Sequence, residues 1–467
     1  MSRTKLHGQL FEVEIIDTTV EGKGVAKLDD KIFFVDNGVP GDKLLIRVIA
    51  KKRRYYEAQT VEILSSSDDR TKPFCQHFGL CGGCKWQHMS YNAQLKYKEK
   101  QVYDQLERIG KLQIETKYPI LACNPIQYYR NKLDFTFSTN PWLINTNDVI
   151  RPVLGFHIPG RYDKVLNIEH CFFQPEPSNK IRNLIRQFAY EAHIPFYNLK
   201  NHEGFLRNLI IRNNRKGEFM LILSVAYEQH EWIDSIKELI RKNVPEVKSF
   251  YIALNNKLND SLENVPLKLL YGQELIKESL LNLEFDIHPV SFFQTNLYQT
   301  EKLYTKVKEW AALKGDELVY DLFCGTGTIS LLLAQQARFV IGIEYVKEAI
   351  DNAYSNAQKN NIHNIYFEAG DVKDIIIKDH IKRYGKPDLI VLDPPRSGVH
   401  PDVIQSLVEI ASKRIIYVSC NAATQARDLA LLKNHYKIVY SQPVDMFPHT
   451  SHVENIVLLE ILSTIQD

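Results

Sequence analysis

The stretch ELVYDLFCGTG, residues 317–327, is an apolar run that ends in a glycine-rich turn. It predicts a buried strand that leads directly into a helix over TISLLLAQQA, residues 328–337. Strands and helices then continue to alternate. The further predicted strands are FVIGIEYV (339–346), NIYFEAGD (364–371), DLIVLDPP (388–395) and RIIYVSC (414–420), and the helices are KEAIDNAYSNAQKN (347–360) and VIQSLVEIAS (403–412). This alternation indicates a doubly wound, parallel α/β sheet, whose ligands bind beyond the carboxyl ends of the strands.

The turn after the first of these strands carries a candidate cofactor site. Gly325 and Gly327 let a ligand approach the backbone closely, but Ser330 replaces the third glycine of the dinucleotide fingerprint. Glu344 ends the next strand and suits a ribose diol, and Asp371 ends the third strand and suits an adenine edge. These features favour a nucleoside over a pyrophosphate, and capping residues on an ordinary α/β sheet are the alternative. The layout resembles that of class I methyltransferases, whose ligand is S-adenosylmethionine.

Reactive side chains follow the later strands. DPPRSG begins with Asp393, and Arg396 stands where amine methyltransferases carry an aromatic residue, which argues against methylation of an exocyclic nitrogen. Cys420 ends the fifth strand, and Glu454 lies where a loop enters the last strand. C5 of uracil is a poor nucleophile, so its methylation needs a thiolate to attack C6 and a base to remove the C5 proton. Taken singly, the cysteine is more typical of a small buried hydrophobe and the glutamate of a surface charge.

The combined motifs resemble those of the RNA uracil-5-methyltransferases. The matching runs are CQHFGLCGGCKWQ, SFFQTN, DLFCGTGTISL, DPPRSG, VSCNAATQARDL and PHTSHVE, and with an N-terminal TRAM-type barrel they span nearly the whole chain. The resemblance implies that Cys420 is the nucleophile and Glu454 the base. It assigns the cofactor and substrate positions to Gln294, Phe323, Thr328, Glu344, Asp371 and Asp393. Asparagine is common in the family at the positions of Thr328 and Asp371, and both residues here remain polar.

A second group of chemically distinctive residues lies nearer the amino terminus. Cys75, Cys81 and Cys84 follow the spacing C-x5-C-x2-C. The sequence opens MSRTKLHGQL without an apolar signal segment, so we expect a reducing cytoplasm, where clustered thiols more often bind metal or react than form disulfides. Spacing alone suits zinc as well as an iron–sulfur cluster, with a fourth thiolate from Cys123, Cys171, Cys324 or Cys420. The family resemblance implies a [4Fe-4S] cluster held by Cys75, Cys81, Cys84 and Cys171.

The domain organisation follows from the same patterns. Short β-rich segments over residues 8–64 predict an OB-like barrel, and Ser90 and Gly110 mark the expected ends of a helix. Residues 120–285 have no clear period, so their fold cannot be assigned. We expect a TRAM/OB-like RNA-binding barrel over 1–66, an α+β central domain with the iron–sulfur cluster over 67–288, and a Rossmann-like class I methyltransferase domain over 289–467.

The expected partner is RNA. A net charge of +2 does not by itself indicate nucleic acid, so RNA would be bound through local patches. The candidates are KKRRYY (51–56), KYKEKQVY (96–103) and FLRNLIIRNNRKG (205–217), each of which also suits a solvated surface.

Family members with both the barrel and the four cysteines mostly act on 23S ribosomal RNA. We therefore expect a cytoplasmic, monomeric enzyme, without a membrane partner, that methylates C5 of a 23S rRNA uridine. The alternatives are 5-methyluridine formation in tRNA by the same chemistry, and a non-catalytic RNA-binding factor for ribosome assembly.

Overall fold

The computed structural model describes residues 6–144, 150–375 and 378–462. These residues divide into two compact units. The first unit consists of the chain up to Gly79, Gly83–Asn124 and the chain from Asp393 onward, and the second consists of Leu80–Gly82 and Pro125–Leu392. No helix among the described residues is long and apolar enough to cross a membrane.

The first unit begins with a closed barrel. Its strands are β1 (Leu10–Thr18), β2 (Gly24–Leu28), β3 (Lys31–Asp36), β4 (Lys43–Lys51) and β5 (Tyr56–Ser65), in the order β1-β2-β3-β5-β4. Side chains alternate between the two faces of each strand. On β4, Leu44, Ile46 and Val48 are buried, whereas Lys43 and Arg47 are exposed. The OB-like barrel expected from the sequence is confirmed.

A helix with an unusual end follows the barrel in the same unit. The elements are α1 (Tyr91–Tyr103), a π-helical turn (Asp104–Ile109) and β6 (Ile114–Lys117). Ser90 caps α1, because its side-chain oxygen accepts the N–H of Ala93 at 3.3 Å, and the π-helical turn ends at Gly110. Both helix ends expected from the sequence are confirmed. Two polar residues of α1, Gln94 and Lys98, are nevertheless fully buried.

The second unit begins with a sheet in the region that the sequence left unassigned. The strands are β7 (Lys132–Ser138), β8 (Val153–Ile158), β9 (Arg161–Asn167), β10 (Leu206–Asn213), β11 (Phe219–Val225), β12 (Val247–Leu254) and β13 (Leu267–Gly272), in the order β13-β12-β11-β10-β7-β8-β9. Helices α2 (Ser178–Glu191) and α3 (His230–Asn243) interrupt the strand sequence. Strands β10 and β11 are buried on nearly every residue, so they lack the alternation of a half-exposed strand.

The rest of the second unit is a parallel α/β layer. It contains β14 (Ile276–Leu280), β15 (Leu283–Ile287), α4 (Leu297–Ala311), β16 (Leu318–Leu322), α5 (Thr328–Ala334), β17 (Phe339–Glu344), α6 (Lys347–Lys359), β18 (Ile365–Ala369), α7 (Val372–Ile375), α8 (Lys378–Tyr384) and β19 (Leu389–Leu392). Strands β14 and β15 form an antiparallel hairpin, and β18, β17, β16 and β19 lie side by side and parallel. The expected doubly wound arrangement is confirmed here.

The carboxyl-terminal segment returns to the first unit. It forms α9 (Pro401–Ile410), β20 (Arg414–Ser419), α10 (Ala422–Leu432), β21 (Tyr436–Val444) and β22 (Glu454–Ile461). Strand β22 lies between β20 and β21 and is antiparallel to both, and β21 pairs with β6 in parallel. Cys420 directly follows the end of β20, and Glu454 is the first residue of β22. Because the two strands are antiparallel and Ser419 pairs with Asn455, both residues lie at the same edge of the sheet.

Candidate active site

Cys420 occupies the junction between β20 and α10. Asn421 caps the helix, because its side-chain oxygen accepts the N–H of Ala423 at 3.1 Å. Ser419 holds the turn from the other side, since its hydroxyl accepts the N–H of Asn421 at 3.1 Å. The thiol is only partly exposed. The strand end and the helix cap therefore fix the backbone of Cys420 at the carboxyl end of a strand, where the sequence places it.

Four ionisable side chains share this part of the first unit. Burial first, together with the charges of Glu454 and Asp393, raises the pKa of the Cys420 thiol to about 11, and the charge of Arg396 opposes this shift. Burial also raises the pKa of Glu454 to about 8, which Asp393 reinforces and Arg396 opposes. Burial raises the pKa of Asp393 to about 7. Cys420 is thus a neutral thiol at neutral pH, and Glu454 is a carboxyl group that can exchange a proton in that range.

The DPPRSG loop is attached to the helix that follows Cys420. Asn421 and Thr424 donate side-chain hydrogen bonds to the carbonyl of Arg396, at 3.1 and 3.3 Å. Farther along α10, a carboxylate oxygen of Asp428 accepts the N–H of Val399 at 2.8 Å. These residues lie within the VSCNAATQARDL run, but their partners are about 30 positions away, so the sequence alone did not reveal their function. They fix Arg396 relative to Cys420.

The glycine turn in the second unit is held in an unusual backbone conformation. Gly325 and Gly327 have φ angles of 55° and 78°, and Phe323 has a φ of 69°. The amides of Phe323 and Cys324 both donate to the carbonyl of Ile343, at 2.9 and 3.0 Å. A Cβ on Gly327 would lie 2.8 Å from the ring of Phe367, so only glycine fits there. The turn is therefore pinned to the adjoining strand.

Glu344 and Asp371 lie at the ends of neighbouring strands. Glu344 is the last residue of β17 and pairs in register with Ala369 of β18, two positions before Asp371. The Glu344 carboxylate accepts the N–H groups of Gly325 and Val346, at 3.1 and 3.0 Å. The Asp371 carboxylate accepts the N–H of Lys373 at 3.0 Å. Both carboxylates thus lie at the carboxyl edge of the parallel strands, as the sequence predicts for a nucleoside site.

The other expected cofactor residues of this unit are distributed around α4 and α5. Thr328 begins α5, and its hydroxyl lies 3.4 Å from that of Tyr304. The carbonyl of Gln294 accepts a hydrogen bond from the Asn131 side chain at 2.9 Å. Gln294, Phe323, Thr328, Glu344 and Asp371 all belong to the second unit, whereas Asp393 lies with Cys420 in the first.

Ser330, which stands where the dinucleotide fingerprint has its third glycine, has a structural contact of its own. Its hydroxyl donates a 2.5 Å hydrogen bond to the buried carboxylate of Asp321, one helical turn after the glycines. The bond joins the start of α5 to the end of β16. The Asp321 carboxylate therefore stabilises the turn. It differs in this from Glu344 and Asp371, which are the candidates for binding a ligand.

The four expected metal ligands fall into two pairs. Gln87 contacts both Cys75 and Cys84 in the first unit: its side-chain oxygen accepts the Cys75 N–H at 3.1 Å, and its amide donates to the Cys84 sulfur at 3.0 Å. In the second unit, Cys81 and Cys171 pack against one apolar cluster of Ile158, Leu166 and Ile168. Within the described parts of the chain, no group of three or more His, Cys, Asp or Glu residues is arranged to hold a metal ion.

The three basic runs suggested for RNA binding differ in exposure. In KKRRYY the cations are exposed, while the ring of Tyr55 stacks on Phe34 with a centroid distance of 4.0 Å. Lys98 in the second run and Arg207 and Arg212 in the third are buried. Arg212 donates to the carbonyls of residues 288, 289 and 291, so its charge organises a loop of the protein. These three buried cations are not available to contact RNA.

Two family models and several full-length relatives match this chain. Residues 4–61 match the model of the TRAM domain, and residues 231–462 match that of the tRNA (uracil-5-)-methyltransferases. An RNA methyltransferase of Bacteroides thetaiotaomicron is 48% identical over 94% of this chain and 99% of its own. One from Porphyromonas gingivalis is 45% identical over 96% of this chain and 99% of its own.

A solved structure is similar over almost the entire chain. It is the crystal structure of the Pyrococcus abyssi tRNA (uracil-54, C5)-methyltransferase in complex with S-adenosyl-L-homocysteine. That protein is 26% identical, with a TM-score of 0.75, over 96% of this chain and 100% of its own. The Rossmann-like fold and the full-length relatives define an RNA methyltransferase. The chain belongs to the RNA uracil-5-methyltransferase family.

Proposed function

We propose that the protein transfers a methyl group from S-adenosylmethionine to C5 of a specific uridine in 23S rRNA. The observation that carries this proposal is the grouping of Cys420, Glu454, Asp393 and Arg396, whose charges act on one another. Methylation of a nitrogen lone pair needs no thiol, whereas C5 of uracil needs both a thiolate and a base. The grouping provides one of each.

The reaction follows from these groups. The Cys420 thiol loses its proton to solvent, the thiolate sulfur forms a bond to C6 of uracil, and the electrons of the C5–C6 double bond shift toward C5 and O4. C5 then forms a bond to the methyl carbon, and the sulfonium sulfur of S-adenosylmethionine leaves with the bonding pair. The Glu454 carboxylate removes the C5 proton, the double bond re-forms, and the Cys420 thiolate is expelled. The Arg396 guanidinium favours the thiolate, since it lowers the pKa of Cys420.

The residues that the sequence suggests for cofactor binding are proposed to contact S-adenosylmethionine. Glu344 would bind the ribose diol and Asp371 the adenine edge, because both end adjacent parallel strands. The remaining cofactor and substrate contacts would come from Gln294, Phe323, Thr328 and Asp393. Support comes from the P. abyssi protein, which contains S-adenosyl-L-homocysteine and shares the fold.

The proposed RNA target rests on the combination of domains in the chain. The family resemblance favours 23S rRNA for a chain that has both the barrel and the four-cysteine set, and we propose that the enzyme is monomeric and cytoplasmic. In this proposal residues 1–66 bind RNA, residues 67–288 form the central domain and residues 289–467 carry catalysis. The target uridine must leave its base stack to reach Cys420.

Methylation of tRNA is the second candidate, and one observation favours it: the similar P. abyssi protein is a tRNA (uracil-54, C5)-methyltransferase. Mapping 5-methyluridine in the 23S rRNA and tRNA of a strain without this protein distinguishes the two targets. We expect one 23S position to lose its methyl group, and loss confined to tRNA would contradict the rRNA proposal. Complementation with Cys420→Ala separates catalysis from an assembly role, since a non-catalytic factor would still restore growth and subunit assembly.

We also propose that Cys75, Cys81, Cys84 and Cys171 hold a [4Fe-4S] cluster. The proposal rests on the family resemblance and on the spacing of Cys75, Cys81 and Cys84. Among the described residues the cysteines form two pairs, Cys75 with Cys84 beside Gln87 and Cys81 with Cys171 beside one apolar cluster, and no three of them are grouped as a metal site. Four thiolates suit such a cluster and would fix the central segment without taking part in methyl transfer.

The metal proposal is tested on protein purified without oxygen. We expect about four iron and four sulfide per chain, as in a cubane cluster. Cys171→Ser should lose the iron, while Cys123→Ser, which changes a buried cysteine outside the set, should retain it. Stoichiometric zinc without iron would contradict the cluster.

A further inference from the structure

The loop that precedes Glu454 is bound to α1 by buried polar groups. It connects β21 to β22, and its ends meet, because Val444 pairs in register with Glu454. Asp445 begins the loop directly after Val444, and His449 lies at its centre with a φ of 65°, which is uncommon for a residue with a side chain. The conformation of this loop therefore fixes where Glu454 enters the site.

The first connection is a buried ion pair. The Lys98 ammonium lies 2.6 Å from the Asp445 carboxylate, and neither side chain is exposed. The other carboxylate oxygen accepts the Tyr91 hydroxyl at 2.8 Å. Lys98 also donates to the carbonyl of Phe447 at 2.9 Å. One lysine thus holds two points of the loop.

The second connection is made by Gln94, one helical turn earlier. Its side-chain oxygen accepts the N–H of His449 at 2.8 Å, and its amide nitrogen lies 3.2 Å from Nδ1 of the same residue. The amide also donates to the carbonyls of Trp86 and Met89, both at 2.9 Å. The amides of Lys85 and Trp86 in turn donate to the carbonyl of His449, at 2.8 and 3.0 Å. Both polar atoms of the Gln94 side chain thus hold this loop or the segment beside it.

We propose that Gln94 and Lys98 are positioning residues for Glu454, which rests on the proposed function of Glu454 as the base. A buried ion pair is weak evidence for stability, since well-packed apolar residues often stabilise as much. A fully satisfied polar network does specify one arrangement of the groups it joins. The arrangement fixed here is that of the loop between Asp445 and Glu454, and a misplacement of about 1 Å at a reacting group can slow a step by about 100-fold.

The order of the steps determines which of them the variants should slow. Cys420 attacks and C5 is methylated before Glu454 acts, so a displaced Glu454 slows only proton removal and expulsion of the thiolate. Lys98→Met and Gln94→Met should therefore form the covalent protein–RNA adduct at the wild-type rate. They should release methylated RNA at least about tenfold more slowly, so that the adduct accumulates. A residue needed only for folding would slow both steps together.

The test follows single-turnover reactions of the full-length protein on RNA from the deletion strain, with methyl-labelled S-adenosylmethionine. Adduct and free product are separated on denaturing gels. Asn92→Met is the matched control, because Asn92 lies on α1, is exposed and falls outside the candidate RNA-binding run of residues 96–103. It should keep the wild-type ratio of release to adduct formation. Thermal unfolding establishes that each variant is folded.

Lys98→Met leaves a buried carboxylate without its cation and can fail to fold, so Lys98→Met/Asp445→Asn, which removes both charges, is tested beside it. Adduct accumulation in the folded variants supports the proposal. Release at the wild-type rate, or equal slowing of both steps, overturns it. Glu454→Gln in the same assay separates the two claims: if it traps adduct while the α1 variants do not, only the positioning proposal fails, and if it traps none, the base assignment fails as well.

Discussion

Replacing Glu454 with glutamine separates methyl transfer from product release. Glutamine has nearly the same shape but cannot accept the C5 proton, so the thioether to Cys420 should persist with the methyl group already in place. Cys420→Ala should form no adduct and no product. It should still bind S-adenosylmethionine, since the proposed cofactor residues Glu344 and Asp371 lie in the second unit and remain unchanged.

The size of the effect follows from the electrostatics of the site. Burial first, then the charge of Asp393, raises the pKa of Glu454 to about 8. The group is then about one-tenth carboxylate at pH 7 and about nine-tenths at pH 9, so release from the wild-type adduct should accelerate roughly tenfold between these values. Glu454→Gln should lose this pH dependence and release product about 10²- to 10⁴-fold more slowly.

The assay preforms the adduct at low pH and follows its decay by denaturing gel after a jump to pH values between about 6 and 9.5, a range that brackets the expected transition. Glu460→Gln is the control, because Glu460 lies on the same strand in a partly exposed pair with Lys437. Decay in Glu454→Gln with the wild-type rate and pH dependence would refute the reasoning, since another base would then remove the proton.

Three further predictions concern other properties. Glu454→Gln should raise the melting temperature relative to wild type progressively from about pH 4.3 to pH 8, and not below, because the unfolded chain loses this proton near pH 4.3 and the folded site holds it to about 8. Neutralising Arg53 and Arg54 should reduce the slope of log affinity against log salt by roughly 0.7 to 0.9 for each lost phosphate contact, measured by RNA titration. Arg396→Met should slow alkylation of Cys420 by iodoacetamide about tenfold per unit of raised pKa, with Cys420→Ala as the background.

The sequence predicts the parts of the fold whose patterns are local. The run of residues 317–327 contains both the apolar strand and the glycines that need positive φ angles, so the strand and its turn are recognisable together. Ser90 and Gly110 likewise mark helix ends through their own side-chain and backbone chemistry. The positions of Cys420 and Glu454 at strand boundaries are also predictable, because each adjoins a strongly apolar strand.

The parts that escaped prediction depend on distant partners. Strands β10 and β11 are buried on both faces, which removes the alternation that would reveal them. Lys98 and Arg212 read as surface cations, although one binds Asp445 and the other binds backbone carbonyls in the interior. Nothing within a few residues of either cation shows that a carboxylate or a carbonyl about 80 to 350 positions away will meet it.

The strongly raised pKa of Cys420 distinguishes this residue from the cysteines that are proposed to bind iron. A thiol binds metal or is oxidised mainly as its thiolate, and burial together with the nearby carboxyl groups raises the pKa of Cys420 to about 11. The free site therefore keeps this sulfur protonated and inert at neutral pH. In the proposed mechanism, the thiolate becomes favourable only when its negative charge can pass to the uracil ring, and Arg396 aids its formation. Burial, which also raises the pKa of Glu454, would thus protect the proposed nucleophile between turnovers and distinguish Cys420 from the cysteines proposed to hold iron.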